Sequence, residues 1–316
     1  HATSKHTMPI GVSELLESFR RRPLKMYICG GDGPRGPETS VECFDPLRGV
    51  WEAAPPMAMP RSGPVVGALS GQLYICGGSN GVQVLNSVER FDPRMGQWCP
   101  MPQMSRPRLN AGAAVISSQL YVCGGTDGTL CLRSAERFNL ATCSWETLPP
   151  MSTQRLGPGV RSVGCQLHVC GGCDGIARLS SVERFNHGLG AWEALPPMLM
   201  RREFPVAAVV GGALHVCGGT DGVHYLSSVE RFDYSIGRWE SRPNMLMRRA
   251  ASAAVVLAGQ LLICGGACRG SHHNKEGRLP VNSVERFDEE TEAWEYMPSM
   301  SMRRTDAAGA VLATLY

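Results

Sequence analysis

Apolar residues in this chain come in short runs that stop at Gly, Pro, Asn or Asp. Between residues 65 and 99 four such runs follow one another: Val65–Leu69, Leu73–Cys76, Ser87–Phe91 and Gln97–Cys99. They are separated by Ser70-Gly71, Gly77–Gly81 and Asp92–Gly96. Segments this short, apolar or alternating and bounded by turn residues, predict four antiparallel strands in a meander. The most apolar stretch, Ala250 to Ala267, is broken at Gly259-Gln260 and at Gly265-Gly266. It predicts strand–turn–strand and not a membrane span. Upstream, only Ser13 to Arg20 has a helical pattern, with Leu15, Leu16 and Phe19 on one side and Pro23 ending it.

The four-strand pattern recurs. Gly-Gly pairs stand at Gly30-Gly31, Gly77-Gly78, Gly124-Gly125, Gly171-Gly172, Gly218-Gly219 and Gly265-Gly266, each 47 residues from the last. Trp51, Trp98, Trp145, Trp192, Trp239 and Trp294 keep the same phase, apart from an eight-residue insertion within Cys268 to Pro280. Glu42, Glu89, Glu136, Glu183, Glu230 and Glu285 each precede a phased Phe by two residues. Arg61, Arg108, Arg155, Arg202, Arg249 and Arg304 each follow a Trp by ten.

Six copies of one unit therefore fill Leu24 to Tyr316. A four-stranded sheet has two faces to bury, and radial repetition buries each against the next sheet. The first unit lacks the strand that precedes it in the others, and Thr305–Leu315 has the pattern of that strand. The expectation is an all-β, six-bladed propeller over 24–316, four antiparallel strands per blade. Its C-terminal strand completes the first blade and removes the free edges. Residues 1–23 form an N-terminal extension.

Composition narrows the function classes. Lys+Arg number 31 against 28 Asp+Glu, so a net charge of +3 gives no electrostatic case for nucleic acid or a membrane surface. With 43% hydrophobic and 19% charged residues the chain is globular and not disordered. Thirteen Cys in so long a chain, an odd number, argue against a disulfide scaffold and for the reducing cytosol or the nucleus. No signal-peptide run lies in His1 to Lys25. A start at His1 rather than Met suggests a fragment or processed chain.

The run Gly77-Gly78, Ser87–Asp92, Trp98 and Pro102–Arg108, repeated six times, resembles the kelch-repeat family. It looks most like the propellers of BTB–BACK–kelch proteins, substrate receptors of cullin-type ubiquitin ligases. Other kelch propellers bind actin or act as scaffolds, and a few belong to enzymes. No BTB or F-box pattern is present, so a cullin would be reached only through a domain outside this chain. The resemblance implies a protein-binding module that serves as the substrate-recruiting part of a ligase adaptor. An actin-binding or cytoskeletal scaffold is the alternative.

Residues present in every unit are expected to be architectural. The Arg set should pair with the strand Glu or with backbone carbonyls between blades. Trp and Phe should fill the space between blades, and the phased Cys should behave as small buried hydrophobes. Cys170-Gly-Gly-Cys173 and His272-His273 beside Cys268 are weak metal patterns, so no metal and no cofactor are expected. Cys173 and Cys268 are expected on exposed loops. His168 and His215 occupy the position of Tyr27, Tyr74 and Tyr121 and are taken as drift of the repeat, not as a catalytic base. No nucleophile–base set stands outside the repeat, so catalysis is not expected.

Function is expected where the units differ. In the proteins this chain resembles, partners bind one rim of the channel, just after the double glycine and just after the Arg. Carried over, the first set is Asp32, Ser79, Thr126, Cys173, Thr220 and Ala267. The second is Ser62, Leu109, Leu156, Glu203, Ala250 and Thr305. Arg35, Val84, Arg178, His224 and Tyr225 lie further along the same loops, and the insertion adds Arg269, His272, His273, Lys275 and Arg278. Neither set contains an Arg, which implies an amphipathic peptide or loop as ligand. Leu109 and Leu156 would be apolar anchors and Tyr225 a hot spot, with the insertion a lip over the channel.

Overall fold

A computed structural model describes residues 24–269 and 278–313. The helical pattern at Ser13–Arg20 and most of the insertion, with His272, His273 and Lys275, lie outside the described residues. Six four-stranded antiparallel sheets follow one another. From the channel outward, blade one consists of Ala308–Ala313, Leu24–Cys29, Val41–Asp45 and Val50–Ala54. Blade two is Val65–Leu69, Gln72–Cys76, Val88–Asp92 and Gln97–Met101, and the same order recurs in the rest. The inner strands of blades three to six are Gly112–Ile116, Gly159–Val163, Val206–Val210 and Ala253–Leu257.

The strand expected at the C-terminus closes the ring, with Leu24 opposite Ala313 and Cys29 opposite Ala308. Outer strands run further than the sequence suggests: Gln97–Met101 continues through Pro100 and pairs Met101 with Val88. An outermost strand tolerates a proline because one edge makes no ladder bonds. The apolar stretch at 250–267 forms the hairpin Ala253–Leu257 with Gln260–Cys264.

Apolar side chains pack between blades. Tyr27, Cys29 and Cys43 of blade one, for instance, meet Val66, Leu73, Ile75 and Phe91 of blade two. All six phased Cys are buried in such seams, where burial pushes each thiol up to about 12. The phased Phe are buried, but only Trp239 and Trp294 among the Trp are. The other four lie half-buried on outer strands. Each Trp donates its indole N–H to a Pro carbonyl of the preceding blade, as Trp98 does to Pro55 at 2.9 Å.

The phased Arg ties three chain segments together. Arg155 is fully buried; its Nε and Nη2 reach Glu183 Oε1 at 3.1 and 2.8 Å. Its Nη1 donates to the carbonyls of Gly171 and Ser181 at 2.8 and 2.9 Å. Its own carbonyl accepts from the Gly125 N–H of the preceding blade. The other oxygen of Glu183 accepts from the Ser152 N–H at 2.7 Å. Arg61, Arg108, Arg202, Arg249 and Arg304 repeat the ion pair, with Arg304 reaching Glu42 across the ring closure. The sequence expectation offered Glu or carbonyls; each Arg uses both.

The glycine pairs are required by this clamp. Gly171 has φ +64°, and a Cβ there would lie 2.5 Å from the Arg202 carbonyl oxygen. Only glycine combines the left-handed conformation with so close an approach. Gly171→Ala is expected to cost about 2 kcal/mol or more, read from a urea midpoint.

Candidate partner-binding rim

Loops between second and third strands meet the loops that join blades at one mouth of the channel. There the two carried-over sets pair with each other through exchanged backbone hydrogen bonds of 2.7–3.1 Å. The pairs are Ser62 with Ser79, Leu109 with Thr126, Leu156 with Cys173, Glu203 with Thr220, Ala250 with Ala267, and Thr305 with Asp32. Val84, Arg178 and Tyr225 form further bridges to Ser79, Cys173 and Thr220. The twelve residues are thus brought into one ring, and the register of that ring is set by backbone.

Inside it lies a second ring. Gly63, Asn110, Gly157, Phe204, Ala251 and Asp306 each donate their N–H to the carbonyl of the preceding member, at 2.8–3.1 Å, until the circle closes. All six have φ between +52° and +59°. Phe204, Ala251 and Asp306 hold this left-handed conformation without being glycine or asparagine, a strain the surrounding structure must impose. Ala251→Gly is therefore expected to gain up to about 1 kcal/mol in a urea melt, the relief exceeding the added freedom of the unfolded chain.

Several of the expected contact residues offer little surface. Ser62, Cys173, Glu203, Ala250, Ala267 and Thr305 are buried. Asp32, Ser79, Leu109, Thr126, Leu156, Thr220, Arg178 and Tyr225 are half-buried. Cys173, expected on an exposed loop, is 6% exposed because the bridge to Leu156 folds it inward; Cys268 is half-buried. The charge expected at Arg178 is neutralised, its Nε lying 2.9 Å from Glu203 Oε2. Asp32 accepts a 2.6 Å hydrogen bond from the Ser62 hydroxyl. Tyr225 lines a shallow cavity with His224, Met247, Arg248 and Cys268.

Two groups of exposed residues escaped the sequence reading. At the tips of the post-glycine loops, Val82, Leu130, Ile176 and Val223 are 92%, 64%, 90% and 70% exposed. Each tip is held by a side-chain oxygen at its base: Asn80, Asp127, Asp174 and Asp221 each accept two backbone N–H groups at 2.7–2.9 Å. These hydrogen bonds hold the three Asp carboxyls below the ordinary range. An apolar residue at the apex of an Asx turn is a legible signal, visible four residues after the second glycine in three units.

The second group is cationic. Arg106, Arg201, Arg248 and Arg303 lie one or two positions before the buried Arg of their loops and are exposed, as is Arg35, which the sequence did point to. None has an ion-pair partner among the described residues. Arg106 acts on Asp127, and Arg248 shares cavities with His224 and Tyr225, which places these two cations on the same rim as the tips. The rim residues expected from sequence follow the double glycine or the phased Arg, whereas Arg106, Arg201, Arg248 and Arg303 precede the phased Arg.

Among the described residues, no three His, Cys, Asp or Glu converge as metal ligands, and no helix is long and apolar enough to cross a membrane. The kelch motif matches residues 24–58, 60–105, 107–152, 154–199, 201–246 and 248–301, one match per unit. The chain belongs to the kelch family. No curated protein matched the kelch chain in sequence. Among solved structures, one described as the structure of YjhT superposes with a TM-score of 0.71 at 16% identity. The match covers 82% of this kelch chain and 91% of that one, a likeness of fold alone.

Proposed function

We propose that this kelch propeller is a protein-binding module whose contact surface is the rim that carries the four apolar tips. The carrying observation is the set Val82, Leu130, Ile176 and Val223, held by Asx turns and exposed on the rim that also carries Arg106 and Arg248. Exposed apolar side chains on stiff loops, rimmed by charge, suit a partner that buries them. Among the described residues these Arg make no ion pair, which favours a peptide or loop carrying apolar residues with neighbouring carboxylates. This refines the amphipathic ligand inferred from Leu109 and Leu156, which contribute a half-buried inner wall.

Within that reading, the resemblance to BTB–BACK–kelch propellers supports a role as substrate receptor of a cullin-type ligase, acting in the cytosol or nucleus. All 13 Cys are free, which agrees with a reducing compartment. The scaffold reading shares the same rim and differs in the partner's fate.

The test is a quantitative pull-down with the propeller and with an Ile176→Asp/Val223→Asp variant whose thermal melt is unchanged. Glu203 is unsuitable for such a test because its loss would strand Arg178. Partners of the wild type are expected to fall at least tenfold with the variant; partners retained at full level would place binding elsewhere. A captured partner whose half-life lengthens when this chain is overexpressed, as competition with a cullin-linked form predicts, supports the ligase role, whereas co-sedimentation with actin and an unaltered half-life supports the scaffold.

A further inference from the structure

Arg161 departs from the repeat in a way that neither the architecture nor the rim explains. It stands in the inner strand Gly159–Val163, opposite His168. The corresponding residues, fixed by the same strand register, are Gly67, Ala114, Ala208, Val255 and Ala310. Five units thus place a small or β-branched apolar residue where the fourth places a guanidinium.

That side chain crosses the channel. Its Nη2 donates to the carbonyl of Ala254 at 2.7 Å, from blade four to blade six. Arg161 lines both the chamber beneath the left-handed ring, about 140 Å³, and a second chamber of about 240 Å³ towards the opposite mouth. The second chamber is walled by Val66, Val115, Val255, Val256 and Val311, with Ser162 beside Arg161. The Ser162 hydroxyl is engaged with the Val115 carbonyl at 3.1 Å.

A guanidinium has five N–H donors, and the Ala254 carbonyl takes one. Among the described residues no carboxylate lies within ion-pair distance of Arg161, in contrast to the six buried Arg that each have a Glu. Arg161 is half-buried, and the partial loss of water around it makes its protonated form harder to keep. A half-buried cation in a narrow channel, without an ion-pair partner among the described residues, attracts an anion that enters. Carboxylate matches the guanidinium fork with two parallel hydrogen bonds, and valine walls suit a short hydrocarbon tail.

We propose that the channel binds a small organic monocarboxylate against Arg161, independently of the partner-binding rim. The probes are butyrate, its uncharged isostere butyramide, and chloride, tested by thermal melt and calorimetry on the whole chain. Butyrate is expected to raise the Tm saturably and to give a binding isotherm, with butyramide inert. Arg161→Ala, which restores the residue found in three other units, is expected to fold, to melt higher in the absence of ligand, and to lose the butyrate response. Arg161→Lys, keeping charge without the fork, should bind at least tenfold more weakly than wild type. An equal response from wild type and Arg161→Ala, or none from wild type, overturns the proposal. So does a chloride response matching that of butyrate, and so does an Arg161→Ala chain that melts lower, which would make Arg161 a brace.

Discussion

Arg155→Ala is expected to lower the stability of the propeller by about 3–5 kcal/mol, the cost of leaving one member of a buried pair without the other. Glu183 is 3% exposed, and without Arg155 it would keep only the Ser152 N–H as a donor on its second oxygen. The carbonyls of Gly171 and Ser181 would lose the guanidinium as well. The loss should therefore exceed that from removing an ordinary side chain of the same volume. Arg155→Met/Glu183→Leu tests the assignment. Replacing both charges removes the stranded carboxylate, so most of the lost stability should return, and urea melts of the two singles and the double give the coupling. Additive losses would mean that Arg155 acts through its carbonyl contacts alone.

Acid should weaken the propeller well above the range in which carboxylates titrate. His168 and His215 are 0% and 1% exposed, and burial lowers both to about 4. His168 Nδ1 donates to the Gln166 carbonyl at 3.1 Å while Nε2 accepts from the Tyr234 hydroxyl at 3.1 Å, an arrangement that needs the neutral ring. His215 Nδ1 likewise faces the Ala213 carbonyl. The unfolded chain takes up a proton at each site near pH 6.5, whereas the folded chain resists until about pH 4. Stability is accordingly full above pH 6.5 and falls as pH drops through that window, on the order of 3 kcal/mol for each His. His187, also lowered by burial, adds in the same direction.

His168→Leu/His215→Leu takes the residue found at Leu262 in the sixth unit, which holds the corresponding place in the sheet. Urea midpoints at pH 7.5 and 5 should differ several-fold less in this variant than in the wild type. An identical pH slope would show that other groups set the acid sensitivity. The two His thus carry consequences for stability even though their place in the repeat gives them no distinct architecture.

The architecture could be derived from spacing because a propeller repeats one solution six times. Period 47, the phased Glu, Arg and Trp, and the orphan strand pattern at Thr305–Leu315 determined blade number, strand count and ring closure without coordinates. Each of those features is a local pattern that recurs, and recurrence separates it from chance. Strand ends were less legible, since ladder bonds extend Gln97–Met101 past a proline that local propensity counts against.

The rim was legible in part. The two carried-over sets meet, as Ser62 with Ser79 and Leu156 with Cys173 show, yet their pairing turns many of them inward. Which loop residue faces solvent is decided by the ring of backbone hydrogen bonds, and that ring exists only once all six blades are present. The same holds for the Arg. The repeat phase set Arg202 apart from Arg201, but only the structure shows that Arg201 faces solvent beside the clamped Arg202, because adjacent residues in an extended loop point opposite ways. Nor could sequence show that Arg161 crosses an apolar channel to Ala254, a distance measured between blades and not along the chain. Periodic residues were fixed by the sequence itself, since identical environments demand identical side chains. The exceptions to the period acquired meaning only from tertiary structure, which sets what each one faces.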